Sequence, residues 1–195
     1  MRFTILLAAA MLPNLAAAQS TGPSAGERMN APGVEGRVLA ARDGRWSVVA
    51  TFWPAPGAQP VVTRGLVAER KMVGLTLEED MFPTDGKVPM FHRQDFLSFS
   101  QVEGRWQYLS IDTRLPVGLM PARSFDRGTP GKMSFQFDPL AFVGFGSEVE
   151  GRMLRSDMTI TWPDADHEIK EQRFILADGK GIPWVATRYE YTRLR

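Results

Sequence analysis

The chain has no cysteine in its 195 residues. That absence excludes disulfide staples, thiolate catalysis and a cysteine-ligated zinc site. Histidine is nearly as scarce, with 2 in the whole chain, so every imidazole chemistry rests on His92 or His167. Beyond the N-terminus there is no run of about 18 apolar residues, which excludes a later membrane-spanning helix. Charge of neither sign dominates: the net charge is +1 and the charges are interspersed. A basic nucleic-acid stripe is therefore excluded. No long helical pattern separates the apolar segments, so parallel βαβ units are excluded too. No internal repeat is present.

What is there begins with an export signal over 1–18. Arg2 supplies the positive end, Phe3 to Leu12 the apolar core, and Ala16-Ala17-Ala18 the small-residue cleavage site. Losing Arg2 makes the basic and acidic counts equal. The expected compartment is the periplasm or the exterior, with no integral membrane segment after signal removal. Residues 19–33 are rich in Gly, Ser, Pro and Ala and predict a flexible leader. The remainder, 34–195, suits one domain. Val34 to Ala41 predicts a short N-terminal helix with Val34 and Val38 on one face.

The organising stretch is Gly44 to Trp53. After the Asp43-Gly44 turn, Trp46, Val48, Ala50 and Phe52 share one face of a period-2 strand, and Pro54 stops it. Strand patterns recur at 61–73 (bent at Gly65), 75–82, 96–102, 105–113, 118–126, 132–138, 152–162, 167–176 and 184–193, separated by turn residues. This spacing predicts an all-β fold: an antiparallel up-and-down β-barrel of about eight to ten strands, since closure removes exposed edges.

Gly44-Arg45-Trp46 opening the first strand, with an arginine in the last, resembles the lipocalin-type (calycin) signature. Pro54-Ala55-Pro56-Gly57, Arg70 to Gly74, Ser110-Ile111-Asp112, Asp178-Gly179-Lys180 and Tyr191-Thr192-Arg193 follow in the order of a bacterial domain-of-unknown-function family, number fifteen seventy-nine. The chain is similar to that family from Val34 onward. It departs where the family has Gly-Tyr-Asp and this chain has Phe96-Leu97-Ser98, and where Ser110 stands for a tryptophan. The resemblance implies a lipocalin-like barrel and no activity. It also implies that Trp46 packs at the closed end with Arg193 across its ring, Arg188 being second choice. Gly44, Trp46 and Arg193 are thus a structural signature.

Candidate chemistry is thin. His92 near Asp95 and Ser98 matches no triad motif and reads as a surface histidine. His167 beside Asp164, Asp166 and Glu168 reads as part of a solvated acidic turn, so neither metal nor haem nor other cofactor is expected. Glu78-Glu79-Asp80 reads as a solvated strand end. Gly144-Phe145-Gly146 lacks the third glycine of a nucleotide loop. The apolar run over 139–151, with Leu140, Phe142 and Phe145, reads as a plug or short helix completing the core, or else as a lid, a partner surface or a homodimer contact.

The expectation is an exported, non-enzymatic barrel that binds a small hydrophobic molecule and no nucleic acid. Phe52, Phe99, Trp106, Tyr108, Phe135, Tyr189 and Tyr191 are its expected cavity lining. The alternative is a packed structural or interaction protein of the envelope. A hydrolase is the third reading.

Overall fold

Residues 22–85, 92–141 and 149–195 are described by this computed structural model of the chain. The N-terminal unit, up to Ala31, contains α1 (Ala25–Asn30). A capping box makes this helix. Ser24 Oγ accepts from the Glu27 N–H at 3.2 Å, and the Glu27 carboxylate accepts from the Ser24 N–H at 2.6 Å. None of its residues is buried. Composition alone reads this stretch as a leader because the cap is a two-residue signal.

The second unit, Pro32 to Arg195, is the barrel. It opens with α2 (Val34–Ala40). This helix buries Gly36 and Leu39 and leaves Val34 exposed, so the expected Val34–Val38 face is not the inward one. Gly36 sits against Pro32, where a Cβ would meet the proline side chain at 3.0 Å, a tight contact. Leu39 then joins the main core, and α2 packs on the strands over one end of the barrel.

The strands are β1 (Gly44–Phe52), β2 (Val61–Val73), β3 (Thr76–Pro83), β4 (Arg93–Ser100), β5 (Arg105–Asp112) and β6 (Leu119–Arg123). They continue as β7 (Lys132–Phe137), β8 (Leu140–Ala141), β9 (Met153–Thr161), β10 (His167–Leu176) and β11 (Trp184–Arg193). All pairings are antiparallel. Each barrel strand pairs with the next, β8 hangs on the edge of β9, and β11 pairs back on β1, with Trp46 opposite Arg193. Among the described residues this is a closed 10-strand up-and-down barrel, the fold class expected.

The strand from 96 starts earlier than its pattern suggests, at Arg93, because charged Arg93 and Asp95 take inward positions. The bend expected at Gly65 is a β-bulge: the β1–β2 register slips between Val48 and Ala50, and Gly65 adopts φ 71.

Alternation places one parity inside. In β5, Trp106, Tyr108, Ser110 and Asp112 are all buried. In β10 the inward set is Glu168, Lys170, Gln172 and Phe174. The interior is therefore graded along the barrel axis. Trp46, Val48, Leu66, Ala68, Met81, Tyr189 and Tyr191 form one apolar cluster, while Phe99, Trp106, Phe135, Met158, Phe174 and others form a second, larger one.

Candidate functional site

At the α2 end the signature residues meet. Trp46 is fully buried, and its Nε1–H donates to the Arg42 carbonyl at 3.1 Å. The Arg193 guanidinium lies 4.3 Å from the Trp46 ring centroid, and Arg70 lies 4.9 Å from the same ring. Arg193 also donates to the Asp43 carbonyl at 2.7 Å and to the Ala41 carbonyl, satisfying backbone acceptors where α2 ends. Gly44 has φ 117, and a Cβ there would sit 3.2 Å from Arg193 Nη1. Arg188 points elsewhere and pairs with Glu171 at 2.6 Å.

Next to this lies a buried ion network that charge counting along the sequence does not reveal. Arg70 donates to both oxygens of Glu168, at 2.9 and 2.7 Å, and to Glu79. Lys170 Nζ donates to Glu79 at 3.0 Å and to Asp95 at 2.8 Å. Arg93 Nε donates to Asp95 at 2.9 Å, and its terminal nitrogens donate to the hydroxyls of Tyr189 and Tyr108, each at 3.1 Å. Tyr191 and Trp162 complete it, donating to Glu79 at 2.9 Å and to Glu168 at 2.7 Å. Its cations Arg70, Arg93 and Lys170 balance its anions Glu79, Asp95 and Glu168. Glu79 is thus the opposite of the solvated carboxylate expected: period 2 turns it inward while Glu78 and Asp80 face out.

Burial alone would raise the Asp95 carboxyl, but Arg93 and Lys170 outweigh it and hold that group well below the ordinary carboxylate range. Glu168 is lowered in the same way, burial being overcome by Arg70. Burial would lower Lys170, yet Asp95 and Glu79 raise it well above an ordinary lysine. Burial raises the Tyr108 and Tyr191 hydroxyls.

Beyond Arg93 the barrel is hollow. At the end away from α2 lies a cavity of about 270 Å³. Phe52, Val61, Leu115, Met120 and Phe174 supply its apolar wall, and Arg93, Asp112, Arg114, Gln172 and Tyr189 its polar groups. Between α2 and the ion network the described residues enclose a space of about 20 Å³, room for no more than a water. The barrel is filled at one end and open for occupancy at the other.

Of the expected lining, Phe52 and Tyr189 face this cavity. Tyr108 lies beneath its floor through Arg93. Phe135 packs on Tyr108 at 5.5 Å, and Phe99 packs edge-on against Trp106 at 5.0 Å. Tyr191 belongs to the ion network. These five are packed interior, not cavity wall, because alternation reports the face of a strand but not the height along it. Of the residues missed, Arg93, Asp112 and Gln172 had a signal, being in phase with Leu97 and Phe99, with Trp106 and Tyr108, and with Phe174, while Arg114 lies beyond β5 and had none.

His92 does not join Asp95, which is tied to Arg93 and Lys170. His92 is half-buried rather than a free surface residue. His167 is exposed, with Nδ1 2.9 Å from both Asp164 carboxylate oxygens. Leu140 packs half-buried against the core. Phe142 and Phe145 lie outside the described residues, as do 1–18. Among the described residues no helix is long and apolar enough to cross a membrane.

These features define a closed antiparallel barrel with a buried ion network and one end cavity. No family model matches the chain, and no curated protein matches it either.

Proposed function

We propose that this protein is an exported binding module that holds one small, mostly apolar molecule in the end cavity. The observation that carries the reading is the contrast between the two ends: one packed and ion-locked, the other a cavity with an apolar wall and a few polar groups. The reading is of binding rather than catalysis because Asp112 and Arg114, the ionisable pair at the rim, are engaged with each other. Export is supported by the Arg2, Phe3–Leu12 and Ala16–Ala18 pattern. Kinship with family fifteen seventy-nine is proposed on the motif order from Gly44-Arg45-Trp46 to Tyr191-Thr192-Arg193.

A cavity of about 270 Å³ admits roughly nine water-sized groups at ~30 Å³ each. A ligand hiding ~300 Å² of apolar area gains about 7 kcal/mol gross at ~25 cal/mol/Å². Association costs reduce that to micromolar-to-millimolar affinity. The test is calorimetric titration with 1-octanol. One molecule should bind per barrel, and Ala50→Phe, which fills the cavity from β1, should abolish binding while the β-sheet circular dichroism persists. Absence of binding to the native protein, or equal binding to the filled variant, overturns the reading.

A further inference from the structure

The polar groups around the cavity are unequal in kind. A guanidinium has five N–H donors. Arg93, only 5% exposed, directs its Nε to Asp95 and one bond from each terminal nitrogen to Tyr189 and Tyr108. Each terminal nitrogen therefore carries a second N–H beyond those bonds. The Tyr189 hydroxyl accepts from Arg93 and keeps its own proton to donate. Thr51, Thr63 and Thr187 add hydroxyls to the wall.

Acceptors are fewer and mostly engaged. Asp112 is the one carboxylate among the described lining residues, and both its oxygens are taken by Arg114. Oδ1 accepts from the Arg114 backbone N–H at 3.0 Å and from Nε at 2.9 Å, and Oδ2 accepts from Nη2 at 2.7 Å. Gln172 donates to Ser156 at 2.6 Å and accepts from Thr187 at 3.4 Å. A ligand bringing its own donor would find only the remaining lone pair of Asp112 Oδ2, already beside the Arg114 guanidinium, and a cationic ligand would face two guanidinium groups.

We propose that the molecule bound in this cavity is a monocarboxylate of about ten non-hydrogen atoms, with its carboxylate received by Arg93, Tyr189 and Arg114 and its hydrocarbon lying on Phe52, Met120 and Phe174. This rests on the binding reading above and specifies its ligand. An ionised carboxylate is acceptor-only, so it uses the donors without leaving one of its own unmet. Burying it without such donors would be costly.

Octanoate, 1-octanol and n-octylamine share a chain length and differ in the head. Calorimetry on the full mature protein should show octanoate binding at least tenfold tighter than 1-octanol, the difference between a charge-assisted and a neutral hydrogen bond, and octylamine binding weakest. Tyr189→Phe should cut octanoate affinity about fivefold and leave 1-octanol unchanged. Arg114→Gln, which frees Asp112, should weaken octanoate and strengthen octylamine. If 1-octanol binds as tightly as octanoate, or octylamine binds best, the carboxylate assignment falls and the binding reading stands. If none of the three binds, both fall together.

Discussion

Lys170 holds its ammonium between two carboxylates, Glu79 and Asp95, inside the barrel. Replacing it by methionine keeps the volume and leaves two buried anions short of a partner. Such a loss costs about 3–5 kcal/mol, although the intact pairs are worth far less against an apolar replacement. Lys170→Met should lower the guanidinium unfolding free energy by that amount. Adding Asp95→Asn should restore part of it, since contacting sites are not additive. A fall under 1 kcal/mol for the single variant would mean that water reaches the cluster. Trp46 makes a second residue-scale case. Arg193→Met removes a stacked guanidinium, its bonds to the Ala41, Asp43 and Ala165 carbonyls and its ion pair with Asp166, and at least about 1–2 kcal/mol of stability should go with them. An unchanged melting temperature would show the stacking to be incidental.

Elements were legible to different depths. β10 and β11 match their predicted bounds to the residue, since turns at Asp164 and Asp178-Gly179 bound them, while the inward parity of β11 slips between Ala186 and Tyr189 where the β10–β11 register shifts. The hairpin at Gly104 and the bulge at Gly65 were legible because each needs a positive φ. The start of β4 was not, because Arg93 and Asp95 look like loop residues until their partners on β10 and β11 are known. The cavity shares that difficulty. Period 2 shows that Tyr108 and Tyr189 both point inward, and only the strand register shows which of them reaches the hollow end. Gly44 links α2 to β1, and its demand is specific. Gly44→Ala forces a side chain into a left-handed backbone and toward Arg193 Nη1. The loss should be about 1–3 kcal/mol, with faster amide exchange at Asp43 and Gly44. Exchange as slow as in the native chain would disprove the coupling of this turn to Arg193.

For the molecule as a whole, the buried ionisations set a pH window. Asp95 and Glu168 titrate below their ordinary values of 3.8 and 4.5 in the folded state. Their contribution is present above those ordinary values and is lost as pH falls toward the folded ones. Lys170 titrates above 10.5 when folded, so its contribution is complete below that value and disappears as pH rises through the folded one. The denaturation midpoint should therefore be flat from about pH 5 to about pH 10 and decline on both sides. A midpoint that changes steadily across neutral pH would contradict the closed network.

Because β11 is the neighbour of β1, the ring is completed by the strand that comes latest in sequence among the ten. A nascent chain halted before Trp184 would carry two unpaired borders, β1 and β10, each able to recruit another unfinished copy. Truncation at Pro183 should thus yield aggregates rather than a soluble nine-strand remnant, and light scattering on the truncated product decides it. Productive folding of this barrel waits for the ten residues of β11, so the other nine strands stay open-edged until that strand docks.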